Sequence, residues 1–298
     1  MNCERLQIRK PRPKPTLSKA AEYGGYCLIL LSIIVTGACI DKDQILREGT
    51  RVIIPTNEIS MAGILYTPDG PDERDPAIVV LHGWLDPGVN GADMVSIVAW
   101  HLAREGYVTL ALSMRGWPDT GGEDDCGGKQ PFDVVAATRW LSRQPGVDPD
   151  RIGVLGFSQG GQVALLAAAL TRKIKAVVAF FPVTDLDRWG KTRRAADTKG
   201  GYVSDVCTKG LGLKAKSPIT AACAIHAPTL LIHGDHDTRV PMDQSLEMAK
   251  AMLDCGKKVQ FQLVQGGGHM LKKGHKGWIE AWEHTKAFLD QHLRRNRQ

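Results

Sequence analysis

The segment GFSQG, residues 156–160, has the pattern G-x-S-x-G between an apolar run that is typical of a strand and one that is typical of a helix. Such a turn brings the backbone so close to itself that the positions two before and two after the serine require glycine. The serine hydroxyl is then exposed beyond the strand, where the first amides of the helix point. The pattern predicts that Ser158 is a nucleophile for acyl transfer.

Ser158 needs a base, because a serine hydroxyl is a weak nucleophile, and the base needs an acid that orients it. In chains with this turn, the acid and then the histidine follow the serine in sequence. Two acids, Asp235 and Asp237, follow the apolar run TLLIH, and we favour Asp237 because Asp235 is placed to form the turn. The segment QGGGH follows the strand-like run VQFQLV, so His269 is predicted to be the base.

The tetrahedral intermediate of acyl transfer also needs hydrogen-bond donors for its oxyanion. The backbone amide of Gln159, directly after the serine, is predicted to be one donor. The amide of Trp84, in the loop that follows a strand-like run at residues 77–82, is predicted to be the second. We interpret the neighbouring His82 as a side chain that holds this loop, not as a catalytic group.

These candidates lie at the ends of predicted strands, in a chain where strands and helices alternate. A hairpin is predicted at residues 50–66, and further strands at 77–82, 107–113, 151–157, 175–181, 229–233 and 259–264. Helices are predicted at residues 92–105, 132–144, 162–170, 242–253 and 278–293. This alternation predicts an α/β fold with a twisted, mostly parallel sheet and helices on both faces. Ligand sites in such sheets lie beyond the carboxyl ends of the strands.

The start of the chain differs from the rest in charge and hydropathy. The net charge is +6, and residues 1–38 hold six basic and two acidic side chains, so they carry +4 of it. The nearly neutral remainder offers no extended surface for phosphates, and a nucleic-acid partner is not expected. An apolar run at residues 26–40 follows the basic stretch and is short for a membrane span.

This apolar run ends in VTGAC, which resembles the lipobox of bacterial lipoproteins. We expect residues 1–39 to be an export segment with lipidation at Cys39, which would hold the protein at a bacterial membrane. An uncleaved membrane anchor and ordinary secretion to the periplasm or cell surface are the alternatives.

Four cysteines lie beyond the export segment, and none of them shows the CxxC spacing of a zinc site. If this part of the chain is exported, one disulfide is possible, for instance Cys207 with Cys223 or with Cys126. Free buried thiols are the alternative. The acids at residues 123–125 lack the spacing of an EF-hand, and no metal site is predicted.

The motifs LHGW, GFSQGG, LLIHGDHDTRVP and GGGH together resemble those of the α/β-hydrolase superfamily. The longer segments around GFSQGG and HGDHD look like the catalytic domains of prolyl-oligopeptidase-like hydrolases, and both motifs are also similar to those of carboxylesterases and dienelactone-hydrolase-like proteins. The resemblance implies a catalytic domain at residues 48–295 that needs no cofactor. It implies Ser158 as nucleophile, Asp237 as acid and His269 as base.

Residues 181–227 are the least regular part of this domain and lie where superfamily members insert a cap. We expect a few short helices there. Trp189 and Tyr202 are candidates for the substrate pocket, and a solvated basic loop is the alternative.

The main expectation is a serine hydrolase that cleaves a small carboxylic ester through an acyl-enzyme intermediate. About ten residues separate Cys39 from the first predicted strand, too few for the β-propeller of true oligopeptidases, and this favours esters over peptides. One alternative is a prolyl-oligopeptidase-like peptidase or amidase that acts on short peptides. Another is a catalytically inactive, surface-anchored binding protein that keeps the fold.

Overall fold

The computed structural model describes residues 42–70, 74–84, 88–196, 206–271 and 275–294. The predicted export segment, with Cys39, and the pocket candidate Tyr202 lie outside the described residues. None of the helices in these ranges has the length and hydropathy that a transmembrane span requires. These ranges contain every other residue predicted for the site.

Eight strands of the described chain form one sheet. In chain order they are β1 (Thr50–Pro55), β2 (Ser60–Tyr66), β3 (Asp75–Leu81), β4 (Val108–Leu112), β5 (Val147–Phe157), β6 (Ile174–Phe180), β7 (Thr229–Gly234) and β8 (Val259–Val264). Their order across the sheet is β1-β2-β4-β3-β5-β6-β7-β8. β1 pairs antiparallel with β2 and β2 with β4, whereas all the other neighbours are parallel. The predicted, mostly parallel sheet is confirmed.

Helices connect these strands in the predicted alternation. They are α1 (Lys42–Glu48), α2 (Gly91–Arg104), α3 (Gln130–Leu141), α4 (Gln159–Leu170), α5 (Leu186–Ala196), α6 (Asp243–Asp254) and α7 (Lys276–Leu293). Five of them overlap the helices predicted with bounds, α5 lies in the segment where a few short helices were expected, and α1 is additional. The bounds of α2 follow from its sequence, because the Asn90 side chain accepts hydrogen bonds from two amides of the first turn and Gly106, with φ of 90°, ends the helix.

Two apolar clusters cover the two faces of the sheet. The alternation along β3 shows the division, since Ile78 and Val80 belong to the cluster with α2 and α7, whereas Val79 and Leu81 belong to the cluster with α3, α4 and α6. All four side chains are fully buried, and full burial of one such side chain stabilises a fold by about 1.5–3 kcal/mol. Helices on both faces of the sheet are therefore confirmed.

α1 lies at the end of the sheet where the parallel strands begin. Thr50, just after α1, pairs with Leu65, and β2 in turn pairs antiparallel with β4. Glu48 accepts a hydrogen bond from the Trp100 indole and forms an ion pair with Arg104, both near the carboxyl end of α2. The carboxyl ends of β5, β7 and β8, with the predicted site, lie at the opposite end of the sheet.

The segment between β6 and β7 is the one for which a small cap-like insertion is predicted. It contains α5 and two short 3-10 helices, Leu213–Lys216 and Pro218–Ala224. A disulfide between Cys126 and Cys207, with their Cα atoms 4.8 Å apart, ties this insertion to the loop that follows β4. The insertion is thus fixed to the body of the domain near α4.

The second disulfide was not foreseen. It joins Cys223, in the second 3-10 helix, to Cys255, just after α6, with Cα atoms 5.2 Å apart. The alternative pairing of Cys207 with Cys223 is wrong, because each of these residues is bonded elsewhere. The alternative of free buried thiols is wrong for the same reason, and the pairing with Cys126 is the one that forms.

Candidate active site

Ser158 lies at the turn between β5 and α4, with φ of 54° and ψ of −115°. A Cβ atom at Gly156 would lie 2.2 Å from the carbonyl oxygen of Gly160, and one at Gly160 would lie 2.4 Å from that of His82. The turn therefore requires glycine at these positions, as the sequence predicts. The Ser158 amide donates to the Phe180 carbonyl at 2.9 Å, which helps to hold a backbone conformation that costs about 1–3 kcal/mol.

Three side chains that are distant in the chain meet at this turn. His269 Nε2 lies 3.0 Å from Ser158 Oγ, and His269 Nδ1 lies 2.7 Å from Asp237 Oδ2. The structure brings together the predicted nucleophile, base and acid in the linear order that acyl transfer requires. Because the carboxylate accepts at Nδ1, that nitrogen carries the proton, and Nε2 is left to accept from the serine hydroxyl.

The environment of His269 favours the neutral imidazole. Burial lowers its pKa below the ordinary value of 6.5, although the hydrogen bond to Asp237 acts in the opposite direction. The imidazole also packs against the ring of Phe181, with centroids 4.7 Å apart. A neutral imidazole at neutral pH can take the proton of Ser158.

Asp237 is held in its ionised form although it is buried. Burial favours the protonated acid, but hydrogen bonds from His233 and His269 and the amide of Val240 together hold its pKa well below the usual range. Its Oδ1 accepts from the amides of Arg239 and Val240, each at 2.9 Å. The carboxylate is therefore both charged and fixed in direction.

Asp235, the competing acid, was expected to form the turn after β7, and its side chain instead bonds the neighbouring loop. Its Oδ1 accepts from the amide of Gly266 at 2.6 Å, and the amide of His236 donates to the carbonyl of Gly267 at 2.9 Å. These bonds join the loop after β7 to the loop after β8. Asp235 thus supports the segment that carries His269, whereas Asp237 reaches the imidazole itself.

His233 is a site residue that sequence reasoning missed. It is fully buried at the end of β7, with Nε2 2.9 Å from the carbonyl oxygen of Val240 and 3.3 Å from Asp237 Oδ2. A nitrogen so near a carbonyl oxygen carries a proton, so Nδ1 accepts from the hydroxyl of Ser245 at 2.7 Å. His233 therefore contacts the same carboxylate oxygen, Asp237 Oδ2, as His269 does. Its position directly before the acid's turn, in TLLIHGDHD, was the available signal.

The two predicted oxyanion donors flank the nucleophile. Gln159 begins α4 directly after Ser158. The loop that carries Trp84 also approaches the nucleophile, because a Cβ atom at Gly83 would lie 3.2 Å from the Ser158 Cβ. The roles of the two amides stay a prediction.

His82 holds this second loop. Its Nδ1–H donates to the Gly83 carbonyl at 2.7 Å, and its Nε2 accepts from the amide of Met114 at 3.0 Å. The ring is fully buried, and burial lowers its pKa to about 4. His82 is therefore neutral and has the geometry of a structural side chain.

A small, mainly apolar cavity of about 70 Å³ adjoins Ser158. Apart from Ser158 and His269, its described lining is dominated by aliphatic and aromatic side chains, which are Met94, Val95, Ile97, Val98, Phe157, Phe181, Met270 and Leu271. Trp84, half-exposed, and Arg239 lie at the same cavity. The cavity is suited to an apolar group of a substrate.

Trp189, predicted for the pocket, is not among the described residues that line this cavity. Its indole N–H donates to the carbonyl of Arg239 at 2.8 Å, and its ring packs with the Cys126–Cys207 disulfide and Leu186. The prediction that Trp189 lines the substrate pocket is therefore wrong. Its indole packs in a separate apolar cluster and contacts the backbone of Arg239. The other pocket candidate, Tyr202, is outside the described residues.

The arrangement of Ser158, His269 and Asp237 on a mostly parallel sheet with helices on both faces defines a serine hydrolase of the α/β-hydrolase superfamily. Comparison with known families narrows this class. The model of the prolyl oligopeptidase family matches residues 94–296, more than half of the chain. The chain belongs to the prolyl oligopeptidase family.

Individual relatives differ in length. The chain is 28% identical over 206 residues to an uncharacterized peptidase of Bacillus subtilis, YuxL, covering 64% of this chain and 31% of that protein. It is 27% identical over 241 residues to a probable 2-oxo-3-(5-oxofuran-2-ylidene)propanoate lactonase of Bradyrhizobium sp., covering 74% and 85%. A puromycin-hydrolyzing peptidase of Mycobacterium tuberculosis shares the fold, with a TM-score of 0.70 at 21% identity, over 83% of this chain and 39% of that one. The chain thus spans less than half of the two peptidases and most of the lactonase.

Proposed function

We propose that the chain is a serine peptidase that cleaves short peptides through an acyl-enzyme intermediate. The observation that carries the proposal is the relay in which Ser158, His269 and Asp237 are joined at 3.0 and 2.7 Å. Membership of the prolyl oligopeptidase family, with peptidases among its relatives, supports a peptide bond over an ester as the bond that is cleaved.

In this mechanism, His269 Nε2 takes the hydroxyl proton while Ser158 Oγ attacks the carbonyl carbon of the substrate. Asp237 stabilises the imidazolium that forms. The amides of Trp84 and Gln159 stabilise the oxyanion. His269 then gives its proton to the leaving amine, and a water activated by the same imidazole releases the acid from the serine.

The cavity beside Ser158 sets the expected preference on the acyl side. Its lining is mainly apolar and its one described charged side chain is that of Arg239, so a cationic side chain there would lose its hydration without compensation. We therefore expect an apolar residue or acyl group next to the cleaved bond.

Ester hydrolysis is the second candidate, and one observation favours it. The Bradyrhizobium relative, which the chain covers over 85% of its length, carries the name of a lactonase. A lactone is a cyclic ester, and the same relay of serine, histidine and acid can cleave esters and amides.

The test uses one nucleophile-directed probe and two substrate sets. The wild type is expected to be labelled by a fluorophosphonate, to lose that label in Ser158→Ala, and to turn over short peptide anilides with an apolar residue before the cleaved bond. Turnover of p-nitrophenyl esters without any anilide or peptide would favour the ester candidate. Labelling that persists in Ser158→Ala would refute the site. A wild type that takes no label would favour the inactive binding protein.

We propose in addition that the chain is exported and lipidated at Cys39. The VTGAC segment and the two disulfides of the catalytic domain support this, since disulfides persist in oxidising compartments. A clickable fatty acid should label the wild type in bacterial cells and should not label Cys39→Ala. A wild type without label would contradict lipidation.

A further inference from the structure

A partly buried polar network connects the turn of the nucleophile to the loop that follows β4. Asp124 Oδ1 accepts from the side-chain amide of Gln159 at 2.9 Å and from that of Gln130 at 3.0 Å, and it also accepts from the backbone amide of Cys126 at 2.9 Å. We propose that Asp124 is a positioning residue that fixes the oxyanion donor at Gln159. The inference rests on the proposed function of Ser158.

The network holds the Gln159 side chain from two directions. Gln130 Oε1 lies 3.3 Å from Gln159 Nε2 and accepts from the amide of Gly127 at 2.8 Å. Gln130 and Gln159 are both buried. Hydrogen bonds to a carboxylate are stronger than those between neutral groups, so Asp124 supplies the firmest of these contacts.

The hydrogen bond between the Gln159 side chain and Asp124 matters for catalysis because of the orientation of one peptide group. The Gln159 amide belongs to the peptide group that links it to Ser158, whose φ of 54° is a strained conformation. Strained backbone persists where its surroundings over-determine it. A side chain of Gln159 that is anchored on Asp124 resists rotation of this peptide group. An oxyanion donor must point at the intermediate before the reaction, so a small rotation reduces the rate more than the binding.

The same helix offers a matched control. Gln162, one turn further along α4, donates to the carbonyl oxygens of Cys126 and Lys216, each at 2.9 Å. It is buried to the same degree and is bonded to the same loop as Gln159. The amide of Gln162 donates to the Ser158 carbonyl at 3.1 Å and is not an oxyanion donor. Loss of its side-chain bonds therefore removes two contacts to this part of the structure while leaving the hydrogen bond between Gln159 and Asp124 in place.

The experiment compares Asp124→Ala, Asp124→Asn, Gln159→Met and Gln162→Met. The readouts are kcat and KM on the best substrate, the rate of fluorophosphonate labelling, and the midpoint of thermal unfolding. The phosphoryl oxygen of the probe occupies the oxyanion position, so its labelling rate reports on the donor independently of the substrate.

We expect kcat and the labelling rate to fall together by about ten- to hundredfold in Asp124→Ala, with KM within about threefold of the wild type. Asp124→Asn should recover most of both rates, because its amide oxygen accepts from the same donors. Gln162→Met should lower the unfolding midpoint while keeping both rates within about threefold of the wild type.

Wild-type rates in Asp124→Ala would overturn the inference, and so would an equal fall of both rates in Gln162→Met. If Asp124→Ala does not fold, Gln159→Met tests the inference in its place. This variant removes the hydrogen bond between Gln159 and Asp124, while Asp124 still accepts from Cys126 and Gln130. Wild-type rates in Gln159→Met would then overturn the inference. A wild type that takes no fluorophosphonate would instead reject the proposed function, and this inference with it.

Discussion

The acid–base side of the site and the side of the proposed oxyanion donors, called the oxyanion side below, are held in different ways. Asp237 and His269 lie on the loops after the neighbouring strands β7 and β8, and backbone hydrogen bonds join those loops directly. On the other side, Gln159 is held by Asp124 from the loop after β4, which a disulfide fastens to the cap-like insertion. The positions of Asp237 and His269 thus follow from the sheet. The position of the proposed donor at Gln159 depends on contacts between segments that are distant in the chain.

The largest effect should come from the acid–base side. Asp237→Asn keeps the shape of the side chain but favours the wrong tautomer of His269, and kcat should fall by about 10⁴-fold. Asp235→Asn should leave kcat within about threefold of the wild type, because Asp235 only joins the two loops. Steady-state kinetics on both variants checks this contrast. Equal losses would show that the two acids do not have separate roles.

The two disulfides offer a test of the oxyanion side. Replacing either pair by alanine should lower the free energy of unfolding by about 2–5 kcal/mol. Only the Cys126/Cys207 replacement should also slow kcat, because that bond holds the loop of Asp124. Denaturant unfolding and kinetics on the two double variants measure the two effects, and Cys223/Cys255 is the control. A lower kcat in the Cys223/Cys255 replacement alone would show that this disulfide, and not Cys126–Cys207, supports the active site.

Acid should destabilise the oxyanion side through His82. Burial lowers its pKa to about 4 in the folded protein from 6.5. The unfolded chain therefore binds a proton at a pH where the folded protein does not, so this stability is complete above pH 6.5 and is lost as the pH falls toward 4. Between pH 7 and 5 the loss from His82 is about 2 kcal/mol. Denaturant unfolding at both pH values measures this loss. The free energy of unfolding of His82→Asn should change less between pH 7 and 5 than that of the wild type, and an equal change would contradict the role of His82.

The smallest effect should come from His233. In His233→Leu, Asp237 loses one of its side-chain donors, and kcat should fall by roughly tenfold while KM is unchanged. Ser245→Ala removes only the partner of His233 Nδ1 and should have a smaller effect. A rise in KM with kcat unchanged would assign His233 to substrate binding instead.

The elements and the relay could be predicted because short-range rules determine them. The glycines around Ser158 are required by a turn within five residues, and the acid and base follow strands whose apolar runs are continuous. The mostly parallel sheet then brings Asp237 and His269 to the same end. Each of these steps depends on local sequence or on a general rule of α/β topology.

Other parts depend on three-dimensional contacts that the sequence does not specify. Cys223 and Cys255 meet because the second 3-10 helix lies beside α6, and no spacing rule indicates that pairing. Asp124 lies in a polar, glycine-rich loop where a carboxylate usually serves a turn. Trp189 was expected at the pocket from its residue type, but its indole N–H donates to the backbone carbonyl of Arg239. Residue type alone does not distinguish these environments.

α1 and the catalytic serine lie at opposite ends of the sheet. α1 joins the sheet where the parallel strands begin, and Ser158 lies beyond their other end. If the domain is immobilised on a bead or fused to a carrier through residue 42, the active site should therefore face away from the support. Substrates in the surrounding medium could then reach it.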